Sequence, residues 1–242
     1  MRIGILSDIH SNLEALEAVD EALSSASVDT IYFAGDVVGY GPDPNPCTQW
    51  VRDRAEIAVA GNHDFAAIGM MDPETFNSNA REAIIWNSER LEDWAGDYLK
   101  ELPMVVTRDE VTIVHASPRA PELWEYIFTL WDAEVNFSHF LTEFCFVGHS
   151  HQPVMVGMDP EGVVTVIPGE SLKAEEGHRY LINVGSVGQP RDGNPDACCG
   201  ILDTSTFEFT LVRIPYDVRK TQRKMVKEGL PLALVDRLSE GR

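Results

Sequence analysis

Phe144-Cys145-Phe146-Val147-Gly148-His149-Ser150-His151 is an unbroken apolar run that ends on a glycine and two histidines one residue apart. A short apolar run bounded by a turn signal reads as a buried strand. Burying imidazole costs free energy unless the ring is paired, so the histidines mark something beyond the strand's end. Residues i and i+2 of an extended chain face the same way. His149 and His151 therefore address one cleft.

The same arrangement recurs upstream. Residues 3–6 lead to Asp8 and His10, residues 30–34 to Gly35-Asp36, residues 57–60 to Gly61-Asn62-His63-Asp64, and residues 111–114 to His115. Five of the seven histidines sit at such strand ends; His139 and His178 do not. Between the first two runs, Ser11-Asn12-Leu13-Glu14 has a capping-box pattern, followed by Leu13, Leu16, Val19 and Leu23 at helical spacing. Strands alternating with helices predict a parallel or mixed sheet covered by helices. In such sheets, sites form beyond the carboxyl ends of the strands, where side chains distant in sequence converge.

The remainder is read more coarsely. Residues 74–101 carry Phe76, Ala80, Ile84, Ile85, Leu91, Trp94 and Tyr98 on a broad apolar stripe and are expected to be helical, with the aromatic residues in the core. Strands are expected over 111–114, 144–147, 163–167, 179–184, 197–202 and 207–214. Residues 218–227 form a basic amphipathic helix, read as a solvated surface element. The loop 40–45, Tyr40-Gly41-Pro42-Asp43-Pro44-Asn45, either shapes a pocket or simply turns into the next helix. No repeat, low-complexity tract or linker interrupts residues 1–242, which are expected to form a single domain.

Composition bounds the function. The 242 residues are 44% hydrophobic, enough for one sizeable core. A formal net charge of −20 argues against a general nucleic-acid-binding surface, which needs Lys and Arg. It does not exclude a small phosphorylated substrate, because a bound metal reverses the local field. No apolar run reaches membrane-spanning length, and Asp8 interrupts the N-terminal segment too early for a signal peptide. The cytoplasm is the expected compartment. Cys47, Cys145, Cys198 and Cys199 show no C-x-x-C spacing and read as reduced thiols. A homo-oligomer remains open.

The strand-end residues Asp8, His10, Asp36, Asn62, His115, His149 and His151 offer carboxylate, imidazole and amide ligands without thiolate. That set suits Mn²⁺, Fe or Zn²⁺ better than Cu(I) or an iron–sulfur cluster. Seven ligands exceed what one ion takes while leaving room for substrate. Two ions sharing one carboxylate account for all seven, and such pairs sit roughly 3.5–4 Å apart in phosphate-ester hydrolases.

The ordered motifs Asp8-x-His10, Gly35-Asp36, Gly61-Asn62-His63-Asp64, His115 and Gly148-His149-x-His151 resemble those of the calcineurin-like metallophosphoesterases. Asn183-Val184-Gly185-Ser186-Val187-Gly188-Gln189-Pro190-Arg191 resembles the closing segment of their small bacterial and archaeal, phosphodiesterase-like members. The resemblance implies a four-layer α/β/β/α sandwich of two mixed sheets flanked by helices, with a binuclear site at the sheet edge. By analogy, Asp8, His10 and His151 hold one ion, Asn62, His115 and His149 the other, and Asp36 bridges them. The ions are expected to be divalent, manganese first, with iron, zinc or nickel as alternatives. The implied activity is hydrolysis of a small phosphodiester, phosphomonoester or dinucleoside polyphosphate by a hydroxide shared between the ions. His63 then protonates the leaving oxygen or stabilises charge there, with Asp64 as its orienting partner.

The sequence departs from the protein phosphatase branch. The Asp partner and phosphate-gripping arginines of that branch are replaced by Gly39, Tyr40 and Ala60. Asn12, Tyr40, Arg119 and Arg191 are the candidates for substrate contact instead. The rival reading is a metal-binding scaffold of the same fold that binds proteins and catalyses little. Loss of a ligand or of the Asn-His element would favour that reading; here all are present. A β-lactamase-type metallohydrolase would need His-x-His-x-Asp-His, which does not occur.

Overall fold

The structure, a computed structural model, describes residues 1–242. Its strands are β1 (Arg2–Leu6), β2 (Thr30–Phe33), β3 (Ala55–Ala58), β4 (Val105–Arg108), β5 (Val111–Val114), β6 (Phe144–Val147), β7 (Val154–Met158), β8 (Val164–Ile167), β9 (Ser171–Lys173), β10 (Arg179–Asn183), β11 (Ala197–Asp203) and β12 (Glu208–Ile214). Its helices are α1 (Leu13–Ser25), α2 (Pro44–Arg54), α3 (Asn62–Ala67), α4 (Ser78–Ser88), α5 (Asp93–Glu101), α6 (Leu130–Asn136), α7 (Val218–Lys227) and α8 (Leu232–Glu240).

Two six-stranded mixed sheets pack face to face, in the orders β3-β2-β1-β11-β12-β9 and β4-β5-β6-β10-β7-β8. The four-layer architecture expected from the motifs is present. In the first sheet β1, β2 and β3 run parallel; in the second, β5, β6 and β10 do. These are the strands whose ends carry the polar motifs. The side-chain period of two sorts each strand between layers. Ile3 and Ile5 of β1 meet Ile113, Phe144, Phe146 and Ile182 in the core between the sheets. Leu6 faces outward onto Leu16, Val19 and Leu23 of α1. Burial on both faces explains why these strands read as continuous apolar runs. A smaller core of Ala80, Ala83, Met225, Leu234 and Leu238 fastens α7 and α8 to α4.

Three local expectations change. Residues 74–101 are not one helix: α4 and α5 are separated by a turn at 89–92, and Phe76 precedes α4. The capping box does not form. Asn12 caps α1, its Oδ1 accepting from Ala15 N at 3.2 Å, while Ser11 Oγ donates to Asn87 Oδ1 at 2.7 Å. Glu14 instead accepts from Lys224 Nζ at 3.0 Å and Thr221 Oγ1 at 3.1 Å. Helix α7 has the expected bounds, but that pairing, and the burial of Thr221 and Met225, make it a docked element. All four cysteines are free and buried. No helix is long and apolar enough to cross a membrane.

Candidate metal centre

The parallel strands of both sheets deliver their last residues to one edge. There the backbone turns sharply. Asp8, His10, Asp36, His149 and His151 all adopt left-handed φ values, between 49° and 66°. Each such non-glycine residue costs of order 1–3 kcal/mol and persists only where its surroundings impose it. The loops are laced together: Asp8 N donates to Gly35 O at 2.9 Å and His10 N to Asp36 O at 3.1 Å. Ser186 Oγ and Gly188 N donate to Asp8 O, each at 2.9 Å. A methyl group at Gly61 would collide with Asp36 Oδ1, and one at Gly148 with Asp8 Oδ2. Glycine is required at both places for the chain to approach the carboxylates.

The imidazoles are oriented from behind. His10 Nδ1 donates to Val38 O at 3.0 Å, His115 Nδ1 to Ala34 O at 2.7 Å, and His151 Nδ1 to Gln189 O at 2.6 Å. A carbonyl only accepts, so each ring carries its proton on Nδ1 and turns Nε2 inward, the arrangement that metal-ligating histidines adopt. His149 is reversed: Nε2 donates to Trp124 O at 2.9 Å, leaving Nδ1 free.

Three buried groups of possible ligands result: Asp8, His10 and His151; His10, Asp36 and His63; and Asp36, His115 and His149. His115 Nε2 also lies 3.2 Å from Asn62 Oδ1. Asp36 Oδ2 is 3.6 Å from His10 Nε2 and 3.2 Å from His115 Nε2, between the two outer groups. All seven sequence-predicted ligands are thus brought together.

The donor set fits cations. Asp8 Oδ1 and Asp36 Oδ2 are buried without a hydrogen-bond partner, although imidazole nitrogens lie within 3.2 Å of each. Each belongs to a group whose ligand atoms all lie within 4.8 Å of one another, Asp8 with His10 and His151, and Asp36 with His115 and His149. An uncompensated buried carboxylate is costly, and a cation within each group would relieve it.

The buried carboxylates and imidazoles shift one another's proton affinities. Burial raises the Asp8 carboxyl, but His151 and His10 bring it well below the usual range. Asp36 is likewise held low by His115 and His63 against its burial. Burial alone would lower His115, yet Asp36 and Asp8 lift it to about 9. Burial takes His149 down to about 3, reinforced by His115, and His151 to about 4, reinforced by Arg191.

His63 contacts the same cluster from the side. Its ring packs edge-on against His10 at 4.7 Å and Phe76 at 4.9 Å, and lies 4.5 Å from Tyr40. Its Nδ1 is buried without a partner. Asp64 does not orient it, contrary to expectation. Asp64 Oδ2 accepts from the amides of Asp36 and Gly61, each at 3.0 Å, and Oδ1 from that of Val38 at 3.1 Å. Asp64 ties the 36–38 loop to the start of α3. Burial and the charge of Asp36 raise its carboxyl to about 7.

A cleft of about 420 Å³ opens over the group. Asp36, Asn62, His63, His149 and His151 form its floor, and Tyr40 and Arg191 are in its lining. Two other proposed substrate contacts lie elsewhere. Arg119 is engaged with Glu125 through two bonds of 2.9 and 2.6 Å and lines a different hollow. Asn12 is occupied by Gly188 O, Tyr216 and the α1 cap. Sequence reasoning missed Phe76, Asn77, Trp124, Tyr126 and Arg237, which share the lining with Met71, Thr75 and Leu123. None of them stands at a strand end, and nothing in the local pattern distinguishes them.

A family model described as the calcineurin-like phosphoesterase superfamily domain matches residues 1–206. The chain belongs to that superfamily. A metallophosphoesterase from Sphaerobacter thermophilus is 44% identical, with all of both chains covered and a TM-score of 0.88. Protein MJ0912 of Methanocaldococcus jannaschii is 38% identical over 245 residues, covering 99% of this chain and 98% of its own length. Protein PH1004 from Pyrococcus horikoshii OT3 is 17% identical with a TM-score of 0.79, covering 100% of this chain and 98% of its own, and shares the fold. This calcineurin-like metallophosphoesterase is a hydrolase of phosphate ester bonds, with His/Asp clusters able to bind divalent metal.

Proposed function

We propose that the protein hydrolyses a small phosphodiester, phosphomonoester or dinucleoside polyphosphate at a centre of two divalent ions, manganese in the first instance. Asp8, His10 and His151 hold one ion, Asn62, His115 and His149 the other, and Asp36 joins them. The observation that carries this reading is Asp36 Oδ2, buried, unpartnered, and within 3.6 Å of imidazole nitrogens from both outer groups. Ions bound there activate water and neutralise charge on the phosphoryl oxygens.

The chain's own residues do the rest. The Nδ1–carbonyl bonds of His10, His115 and His151 fix the ring orientations before any ligand arrives. His63, against Phe76 and Tyr40, faces the cleft and serves the leaving oxygen. Burial holds His63 well below the ordinary imidazole range; an anionic ester beside it raises it again. Trp124 and Tyr126 line the cleft, the latter stacked on His149 at 4.0 Å. The buried, unpaired cysteines agree with a reducing compartment such as the cytoplasm.

The test is a panel of monoesters, diesters and dinucleoside polyphosphates offered to metal-stripped protein with Mn²⁺, Fe²⁺, Ni²⁺, Zn²⁺ or Mg²⁺ restored. Ion-dependent release of phosphate or alcohol from at least one class is expected, fastest with Mn²⁺. Inertness toward every class with every ion would refute the reading.

A further inference from the structure

The chain carries 39 acidic residues against 19 Lys and Arg, so most of its arginines find a carboxylate. Arg191 and Arg237 do not, and both line the cleft. They come from different elements, Arg191 from the segment after β10 and Arg237 from α8. They converge on one neutral acceptor: Gln189 Oε1 takes Arg191 Nη2 at 2.9 Å and Arg237 Nη1 at 3.4 Å. Donors are in surplus around them. Arg191 Nε and Gln189 Nε2 are both buried without an acceptor. Burial and the neighbouring Arg191 charge push the Arg237 guanidinium down. Two like charges sharing one oxygen are unfavourable until an anion joins them, and a guanidinium fork matches phosphate oxygens.

The pair adjoins the candidate ligands through the backbone, the Arg191 amide donating to His151 O at 3.2 Å and His151 Nδ1 to Gln189 O at 2.6 Å. Neither guanidinium hydrogen-bonds any of the seven. Tyr40 connects the two regions: its ring is 4.5 Å from those of His10 and His63, and its hydroxyl accepts from Arg191 Nη2 at 3.1 Å. We propose that Arg191, Arg237 and Gln189 form a second anion subsite, and that the substrate is an ester bearing a second phosphate group, as in a diphosphate or longer phosphate chain. The first phosphate lies over the metal centre and the second lies between the guanidinium groups. The subsite rests on the phosphoesterase reading for its role, but not for its capacity to bind an anion.

Two measurements test it. Calorimetry on metal-loaded protein, with metal content equal before and after, compares inorganic pyrophosphate with inorganic phosphate. Wild type should prefer pyrophosphate, and Arg191→Gln and Arg237→Gln should each cut that preference about tenfold or more. Arg237→Lys, keeping charge without the fork, should recover part of it. An unchanged preference in both glutamine variants, or none in wild type, would overturn the subsite. Steady-state kinetics then compare p-nitrophenyl phosphate with adenosine diphosphate. Arg237→Gln should lose about 10–100-fold more kcat/KM on the diphosphate than on the monophosphate. Equal losses on both would mean that the pair grips the reacting phosphoryl group, overturning the second-phosphate assignment. Wild type inert toward both compounds, and toward every class of the panel above, would defeat the phosphoesterase reading, while the calorimetry still decides the anion subsite.

Discussion

His10 Nε2 and His151 Nε2 lie 3.1 Å apart, and each ring already donates through Nδ1 to a backbone carbonyl. In the neutral rings, two lone pairs therefore face each other in a buried site. They repel until something positive stands beside them, and Asp8 Oδ1 lies 3.1 Å from His151 Nε2 at the same point. The fold spends backbone strain at Asp8, His10 and His151 to hold this unfavourable arrangement, which a cation converts into a favourable one.

His151→Ala should lose mainly the ion shared with Asp8 and His10, and His149→Ala mainly the one shared with His115. Anomalous scattering at the metal edge distinguishes the two positions. Retention of both ions in both variants would remove these histidines from the ligand set.

His63→Ala should keep both ions and the fold but lower kcat, by about 10²–10⁴-fold where protonation of the leaving group matters. The loss should be far larger for an alkyl or nucleotide ester than for a nitrophenyl ester, whose leaving group needs no proton. Kinetics on both esters, with metal content measured on the same preparation, decide the matter. Equal losses at full occupancy would leave His63 as a positioning group only.

The strand-end residues that converge on the cleft were legible in the sequence because their positions break a local rule: apolar runs buried on both faces stop abruptly on Asp, Asn or His. That signal is local and survives without knowing the fold. Asp64 was misread because its neighbour in sequence is His63, whereas its partners are the amides of Asp36, Gly61 and Val38. Arg237 was invisible because its place in the cleft depends on α8 docking beside α4, a contact between segments about 150 residues apart. The capping box at Ser11 and Glu14 failed for the same reason. Lys224 and Thr221 of α7 offered the Glu14 carboxylate better partners than its own helix start.

That last network makes a stability prediction. Glu14 is pushed up by burial, but Lys224, Lys220 and Thr221 pull it below its ordinary value. A carboxyl depressed on folding contributes stability that is complete above its unfolded value and is lost as pH falls through the folded one. Glu14→Gln should cost about 1–3 kcal/mol at pH 7, lowering Tm by roughly 2–12 °C for a chain of this size. The difference from wild type should shrink as the pH drops below about 4. A gap independent of pH would assign the loss to packing.

Asp36 is where the two halves of the centre meet, and Asp36→Asn tests the two-ion assignment most directly. The substitution keeps the shape and replaces the shared charge with a neutral amide. Elemental analysis after dialysis should find two ions per chain in wild type and a large loss of both in the variant, with the fold intact by circular dichroism. Two ions retained at wild-type occupancy and affinity would contradict the assignment of Asp36 as the bridging ligand.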